Sequence, residues 1–188
     1  MHAMGYRCIT ATDISATVIA WMQAENADKE GIEYVVTDAR KMDSQPDNLF
    51  DCVFDKGTAD SLYCGYRSTD DVLGMCRECC RVLRPGGVFL CVSHGEPDTR
   101  MHTFQHEGLQ WHANAIPVYG SEGLFVYVCT KWSKEEIDAA EQRRLNDLDS
   151  LVSMRTRSVF SHSTQGRRGI LHENTIAHTM YVVVEQFR

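Results

Sequence analysis

Three aspartates carry the first chemical signal in this chain. Asp13 closes the apolar run RCITAT, Asp38 closes IEYVVT, and Asp55 closes FDCVF. In open α/β sheets, ligands bind outside the carboxyl ends of the parallel strands, and an acid there accepts hydrogen bonds from ribose hydroxyls. One such acid is uninformative, because aspartate is common where a strand turns into a loop. Three in succession, each followed by a helix or a polar turn, point to a nucleoside-like ligand. The cysteines offer a weaker signal. Cys76 and Cys79 form a C-x-x-C inside DVLGMCRECCRVL, but that segment is helical in pattern. No second ligand pair at zinc-binding spacing accompanies it, so no metal site is expected.

The elements that would position those acids alternate. RCITAT is followed by a helix from Ser15 to about Ala27, then by the strand IEYVVT and a polar connection around Gln45-Pro46-Asp47. FDCVF is the next strand. A helix from about Thr69 to Leu83 follows, with Thr69 as its cap and Asp70 and Asp71 in its first turn. Arg84-Pro85-Gly86-Gly87 stops it before the strand VFLCVS. Strict alternation implies parallel βαβ units with helices on both faces. The pattern then changes to LQWHANAIPV and GLFVYVCTK, two strands that read as an antiparallel pair at the sheet edge. The helix SKEEIDAAEQRRLNDLDSLV carries Ile137, Ala140, Leu145, Leu148 and Leu151 on a rough apolar stripe. Residues 153–169 hold four arginines and no acid and read as a flexible linker, and HTMYVVVEQF closes the chain as a strand.

Bulk composition narrows the function classes. At 188 residues the chain fits one domain with a small appendage, and 43% hydrophobic with 24% charged residues are those of a soluble globular protein. A net charge of −7 argues against broad nucleic-acid or anionic-membrane binding, which needs a basic face. No apolar run approaches membrane-spanning length. Several of the eight cysteines fall in apolar periodic segments, where a thiol behaves as a small hydrophobe. The expectation is a cytoplasmic protein with reduced thiols.

FDCVFDKGTADSL, followed by a helix and RVLRPGGVFLCVS, resembles the fourth and fifth strands of a seven-strand, class I S-adenosylmethionine-dependent methyltransferase. DKGTADSL is similar to the [DE]-K-G-T-L-D-A-L signature of the eukaryotic elongation factor 1A lysine methyltransferases, departing from it at Ala59 and Ser61. TATDISATVIAWM, TDARKMD and EGLQWHANAIPVYGSEGLFVYVCTK resemble that family's second strand and helix, third strand end and closing hairpin. The resemblance implies a Rossmann-like, doubly wound, mostly parallel sheet with an antiparallel closing hairpin. It also implies a methyltransferase-like domain over residues 1–132, with the helix, basic linker and terminal strand in residues 133–188.

The same resemblance implies roles by position. Asp13 would take the ribose hydroxyls with Ile14 beside the adenosine; Asp38 and Ala39 would hold the adenine; Asp55 and Lys56 would lie by the methionine end of the donor. Asp55 or Asp60 would orient the acceptor amine or help take up its proton, although Asp60 reads equally as an exposed helix residue. Gly57, Thr58 and Trp111 would face the substrate, although an aromatic in a closing hairpin belongs more often to the core. The implied reaction is protein-lysine N-methylation with S-adenosylmethionine as donor, the partner being a protein substrate such as elongation factor 1A. Two rivals stand beside it: a pseudo-methyltransferase kept as a protein-binding module, and a nicotinamide dehydrogenase, against which DKGT and the closing hairpin argue.

The resemblance also raises a problem. The family's first strand carries a G-x-G turn that wraps the donor, yet the only glycine before Asp13 is Gly5. One explanation is that the natural protein starts further upstream. Another is that MYVVV fills the central slot, since its continuous apolar run suits a strand buried on both faces, though it equally suits an edge. Either way the expected donor binding is much weaker than in a relative with the turn.

Overall fold

The computed structural model describes residues 1–155 and 181–185. Two compact units emerge, Met1–Ser133 with His178–Arg188, and Lys134–Ala177. In the first, β1 (Ile9–Asp13) leads to α1 (Ala16–Glu25), which Ser15 caps by accepting from the amide of Val18 at 3.3 Å. Then come β2 (Ile32–Val36), β3 (Phe50–Lys56), α2 (Thr58–Tyr63) and α3 (Ser68–Val82). The unit continues with β4 (Leu83–Ser93), α4 (Pro97–Phe104), β5 (Trp111–Pro117) and β6 (Phe125–Lys131). In the second unit, α5 spans Lys134–Arg155. Leu145 and Leu148, two members of its apolar stripe, are about half exposed. The helix includes residues 153–155, which the sequence reading gave to a linker; the remainder of that segment lies outside the described residues.

The sheet runs β2-β1-β7-β3-β4-β6-β5, with β7 at Tyr181–Glu185. β1 pairs in parallel with β2, and β3 with β4, while β6 is antiparallel to both β4 and β5. The closing hairpin is therefore at the edge, as its sequence suggests. β7 takes the interior of the two placements left open for it. It runs antiparallel to β1, with Thr12 opposite Val182, and antiparallel to β3, with Asp55 also opposite Val182. Without it, β1 and β3 would each present an unpaired row of backbone donors and acceptors, so the slot is closed by the far end of the chain.

The core lies between α3 and the β3-β4-β6 part of the sheet. Val72, Met75, Cys76, Cys79 and Val82 recur at helical spacing along α3 and are fully buried, opposite Val53, Phe89, Cys91, Tyr127 and Cys129. Phe89 stacks on Trp111 with ring centroids 5.6 Å apart, and Phe104 on Tyr127 at 4.6 Å. Five of the eight cysteines are buried, whereas Cys8 and Cys64 are exposed. At the end of β6, buried Lys131 donates from Nζ to Asn48 Oδ1 at 2.8 Å and to the Leu83 carbonyl at 2.6 Å. Burial pulls its pKa below the ordinary value.

Two boundaries differ from expectation. α3 starts at Ser68 behind Arg67, so Thr69 is inside the first turn and caps nothing. Arg84-Pro85-Gly86-Gly87 does not separate helix from strand but forms an irregularity within β4: Phe50 faces Leu83 and Cys52 already faces Val88. Glycine is needed twice there. Gly86 has φ +76, and a β-carbon on Gly87 would come within 2.9 Å of the Arg84 carbonyl.

Candidate active site at the carboxyl ends of the parallel strands

The shared direction of β1, β2 and β3 brings Asp13, Asp38 and Asp55 to one edge of the sheet. Each carboxylate is also used locally. Asp13, only 3% exposed, accepts from the Ser15 amide at 2.7 Å, which turns the chain from β1 into α1. Ile14, beside it, is 43% exposed at the same edge. Asp38 follows β2 and accepts from the Arg40 amide at 2.9 Å and from Nη2 of Arg40 at 2.6 Å. Burial would raise its pKa, but the hydrogen bonds and charge of Arg40 outweigh that and hold it below the ordinary carboxylate value. Arg40 reaches on to Asp71 of α3 at 3.2 Å, and Ala39 is buried beneath the loop.

Asp55 is fully buried. Its carboxylate accepts from the amides of Thr58 at 3.0 Å and Ala59 at 3.2 Å, and from Cys91 Sγ at 3.2 Å. It therefore anchors the first turn of α2, and burial raises its pKa against the pull of those hydrogen bonds. The structure thus places Asp55 in the interior, with its carboxylate bonded to the start of α2 and to β4. Thr58 is likewise completely buried, and Trp111 is 5% exposed, its Nε1 donating to the Phe104 carbonyl at 2.7 Å. Both lie in the interior of the described structure. Lys56 is exposed at the edge, and Gly57 has φ +95 with no atom within 4 Å of where a β-carbon would lie. The left-handed turn favours glycine there and leaves the backbone open to a ligand.

Asp60 is half-buried and neither of its two readings fits it fully. Its carboxylate accepts from Ser93 Oγ and, at 3.0 Å, from the His94 amide, tying α2 to the loop between β4 and α4. That loop is held from the other side by Tyr127, whose hydroxyl donates to the Gly95 carbonyl at 2.6 Å. Sequence reasoning missed this loop together with α2 and α4. The signal for α4 was present in GEPDTRMHTF, where Pro97 stands at the start of the helix and Asp98 in its first turn. Two clefts, of about 520 and 350 Å³, open elsewhere; they are lined by Gln23, Asn26 and Tyr34, and by Cys8, Gly31, Gln45 and Leu49.

In chemical type, the donor set at this edge suits the nucleoside half of S-adenosylmethionine. Asp13 and Asp38 are acceptor-only carboxylates at adjacent strand ends, with Ile14 exposed between solvent and the edge, and Gly57 supplies open backbone. The other half of the cradle is built differently. Between β1 and β3 the carboxyl edge is met by Tyr181, the first residue of an antiparallel strand, opposite Lys56.

Sequence and fold comparisons agree with this geometry. The family profile described as "Methyltransferase domain" matches residues 1–91. The chain is 29% identical over 118 residues to EEF1A lysine methyltransferase 4 of Mus musculus, covering 57% of this chain and 45% of that protein. It is 35% identical over 96 residues to the eEF1A lysine and N-terminal methyltransferase of Homo sapiens, covering 50% of this chain and 14% of that protein. The chain thus spans less than half the length of these relatives. Among solved structures, a methyltransferase from Pyrococcus furiosus superposes with a TM-score of 0.53 at 14% identity, covering 65% of this chain and 62% of that one. The N-methyltransferase NodS from Bradyrhizobium japonicum WM9, in complex with S-adenosyl-l-homocysteine, superposes with a TM-score of 0.51 at 13% identity, covering 65% of each chain. By sequence over residues 1–91, and by fold over about two thirds of its length, the chain resembles class I, S-adenosylmethionine-dependent methyltransferases, the eEF1A lysine methyltransferases among them.

Proposed function

We propose that the chain acts as a protein-lysine N-methyltransferase, with elongation factor 1A as the acceptor protein and the cytoplasm as its compartment. The observation that carries this reading is the placing of Asp13, Asp38, Gly57 and Asp60 at one sheet edge, in a chain similar to eEF1A lysine methyltransferases. S-adenosylmethionine, when bound, supplies an electrophilic methyl group to a neutral amine. The chain's own work is then orientation and exclusion of water. Asp13 and Ile14 hold the ribose side; Asp38, fixed by Arg40, and Ala39 hold the base; Lys56 and Gly57 face the remaining end. Asp60, half-buried at the edge, orients the acceptor amine and receives its proton.

The test begins with calorimetric titration of the chain with S-adenosylhomocysteine, followed by mass spectrometry of elongation factor 1A incubated with chain and donor. The reading expects binding and a methyl increment on a lysine. A folded chain that binds no S-adenosylhomocysteine overturns it. One observation favours a second reading, a pseudo-methyltransferase serving as a protein-binding module: β7 occupies the central slot, and the strand-end carboxylates are already engaged within the chain. That reading expects the acceptor protein to bind without donor binding.

A further inference from the structure

Arg100 is held differently from Arg40 and Arg81. Arg40 and Arg81 each place several nitrogens on carboxylates at 3.2 Å or less. Arg100 comes from α4 to lie with Cζ 3.5 Å from the centroid of the Tyr63 ring, and its Nη2 is 4.0 Å from Asp60 Oδ1. Its Nε is buried with no hydrogen-bond partner. Asp60 and Tyr63 stand three residues apart on α2, so ring face and carboxylate are neighbours on one side of the helix. Aromatic face plus carboxylate is the chemistry that recognises a cation, and here a guanidinium with one unsatisfied donor fills it.

We propose that the Tyr63 face beside Asp60 is the binding site for the acceptor's lysine ammonium, and that Arg100 is a built-in competitor which the incoming lysine displaces. The proposal rests on the lysine-acceptor reading above and adds the residues that select the cation. The site lies at the carboxyl edge, because Asp60 is bonded to Ser93 and His94 where β4 ends. An ammonium is compact and has three donors, so it meets Asp60 directly where the planar guanidinium stands off. Gly95 gives a second way to move Arg100. A β-carbon at Gly95 would lie 1.9 Å from Arg100 Nε, and its φ is not in the left-handed region, so Gly95→Ala pushes the arginine off the ring without deleting it.

The test titrates Nα-acetyl-lysine methylamide into the full chain, with Nα-acetyl-norleucine methylamide as uncharged control, following tyrosine resonances by NMR. Arg100→Met and Gly95→Ala are both expected to tighten the lysine probe by about threefold to thirtyfold over wild type, with no gain for norleucine. Adding Tyr63→Leu to Arg100→Met should remove the gain. If a folded Arg100→Met binds no tighter than wild type, or the gain survives Tyr63→Leu, the proposal is overturned. If Arg100→Met does not fold, Gly95→Ala decides alone. Calorimetry with S-adenosylhomocysteine on the same proteins separates the two readings. Donor binding absent throughout, with the lysine gain present, sinks the methyltransferase reading and leaves the cation site standing.

Discussion

Asp55 is fully buried and accepts from two backbone amides and a thiol, whereas Asp60, five positions on, is partly exposed and accepts from Ser93 and the His94 amide. The two residues therefore predict opposite phenotypes. Asp55→Ala leaves the amides of Thr58 and Ala59 buried without an acceptor, at about 1–3 kcal/mol for each. The urea midpoint should fall sharply for that variant. Asp60→Asn keeps most of the contacts to Ser93 and His94 but loses the charge. It should lower acceptor methylation about a hundredfold while leaving the calorimetric affinity for S-adenosylhomocysteine unchanged. A fall in donor affinity instead would place Asp60 on the donor. The types and spacing of the strand-end acids were legible in the sequence. The direction of each carboxylate was not, because an aspartate that turns back on its own helix and one that faces a ligand share the same local sequence.

At the scale of elements, α3 does more than fill the core. Asp71, Gly74, Glu78 and Arg81 recur at positions i, i+3, i+7 and i+10, and this second stripe grips the loop after β2. Glu78 Oε2 accepts from the Met42 amide at 2.7 Å, and Arg81 donates to the carbonyls of Met42 at 2.9 Å and Gln45 at 2.8 Å. The loop so held carries Asp38 and Ala39. Hydrogen bonding by Arg81 holds the Glu78 pKa below its ordinary 4.5, outweighing burial. A depressed carboxylate adds stability above its unfolded pKa and loses it as pH falls through the folded one. Glu78→Gln should therefore cost about 1–3 kcal/mol at neutral pH, with the difference from wild type shrinking below about pH 4.5. Urea titrations at several pH values measure it, and a difference that does not change with pH would remove the carboxylate from the account. The apolar periodicity of α3 announced the helix, whereas its polar stripe had no visible partner until the loop was placed. α2 and α4 are too short, at 6 and 8 residues, to show a period at all.

At the scale of the whole molecule, the central slot of the sheet is filled by residues that the chain supplies last. Ile9 pairs with Glu185, a contact between opposite ends of the sequence, and no local pattern encodes such a pairing. The composition of MYVVV was compatible with an interior strand or an edge, and only the pairing chose between them. The choice has a backbone test independent of side-chain packing. In an edge strand, alternate amides point away from the sheet, so of two successive positions one tolerates proline. In an interior strand every amide bonds to a neighbour, β1 on one side or β3 on the other. Val182→Pro and Val183→Pro should therefore each remove a ladder hydrogen bond and destabilise the protein by at least about 1–3 kcal/mol. Both should also weaken S-adenosylhomocysteine binding, because β1 and β3 carry Asp13 and the Gly57 turn. Urea midpoints with calorimetry on the two variants decide the matter. One proline tolerated and the other not would return β7 to an edge; two tolerated would mean that something else joins β1 to β3.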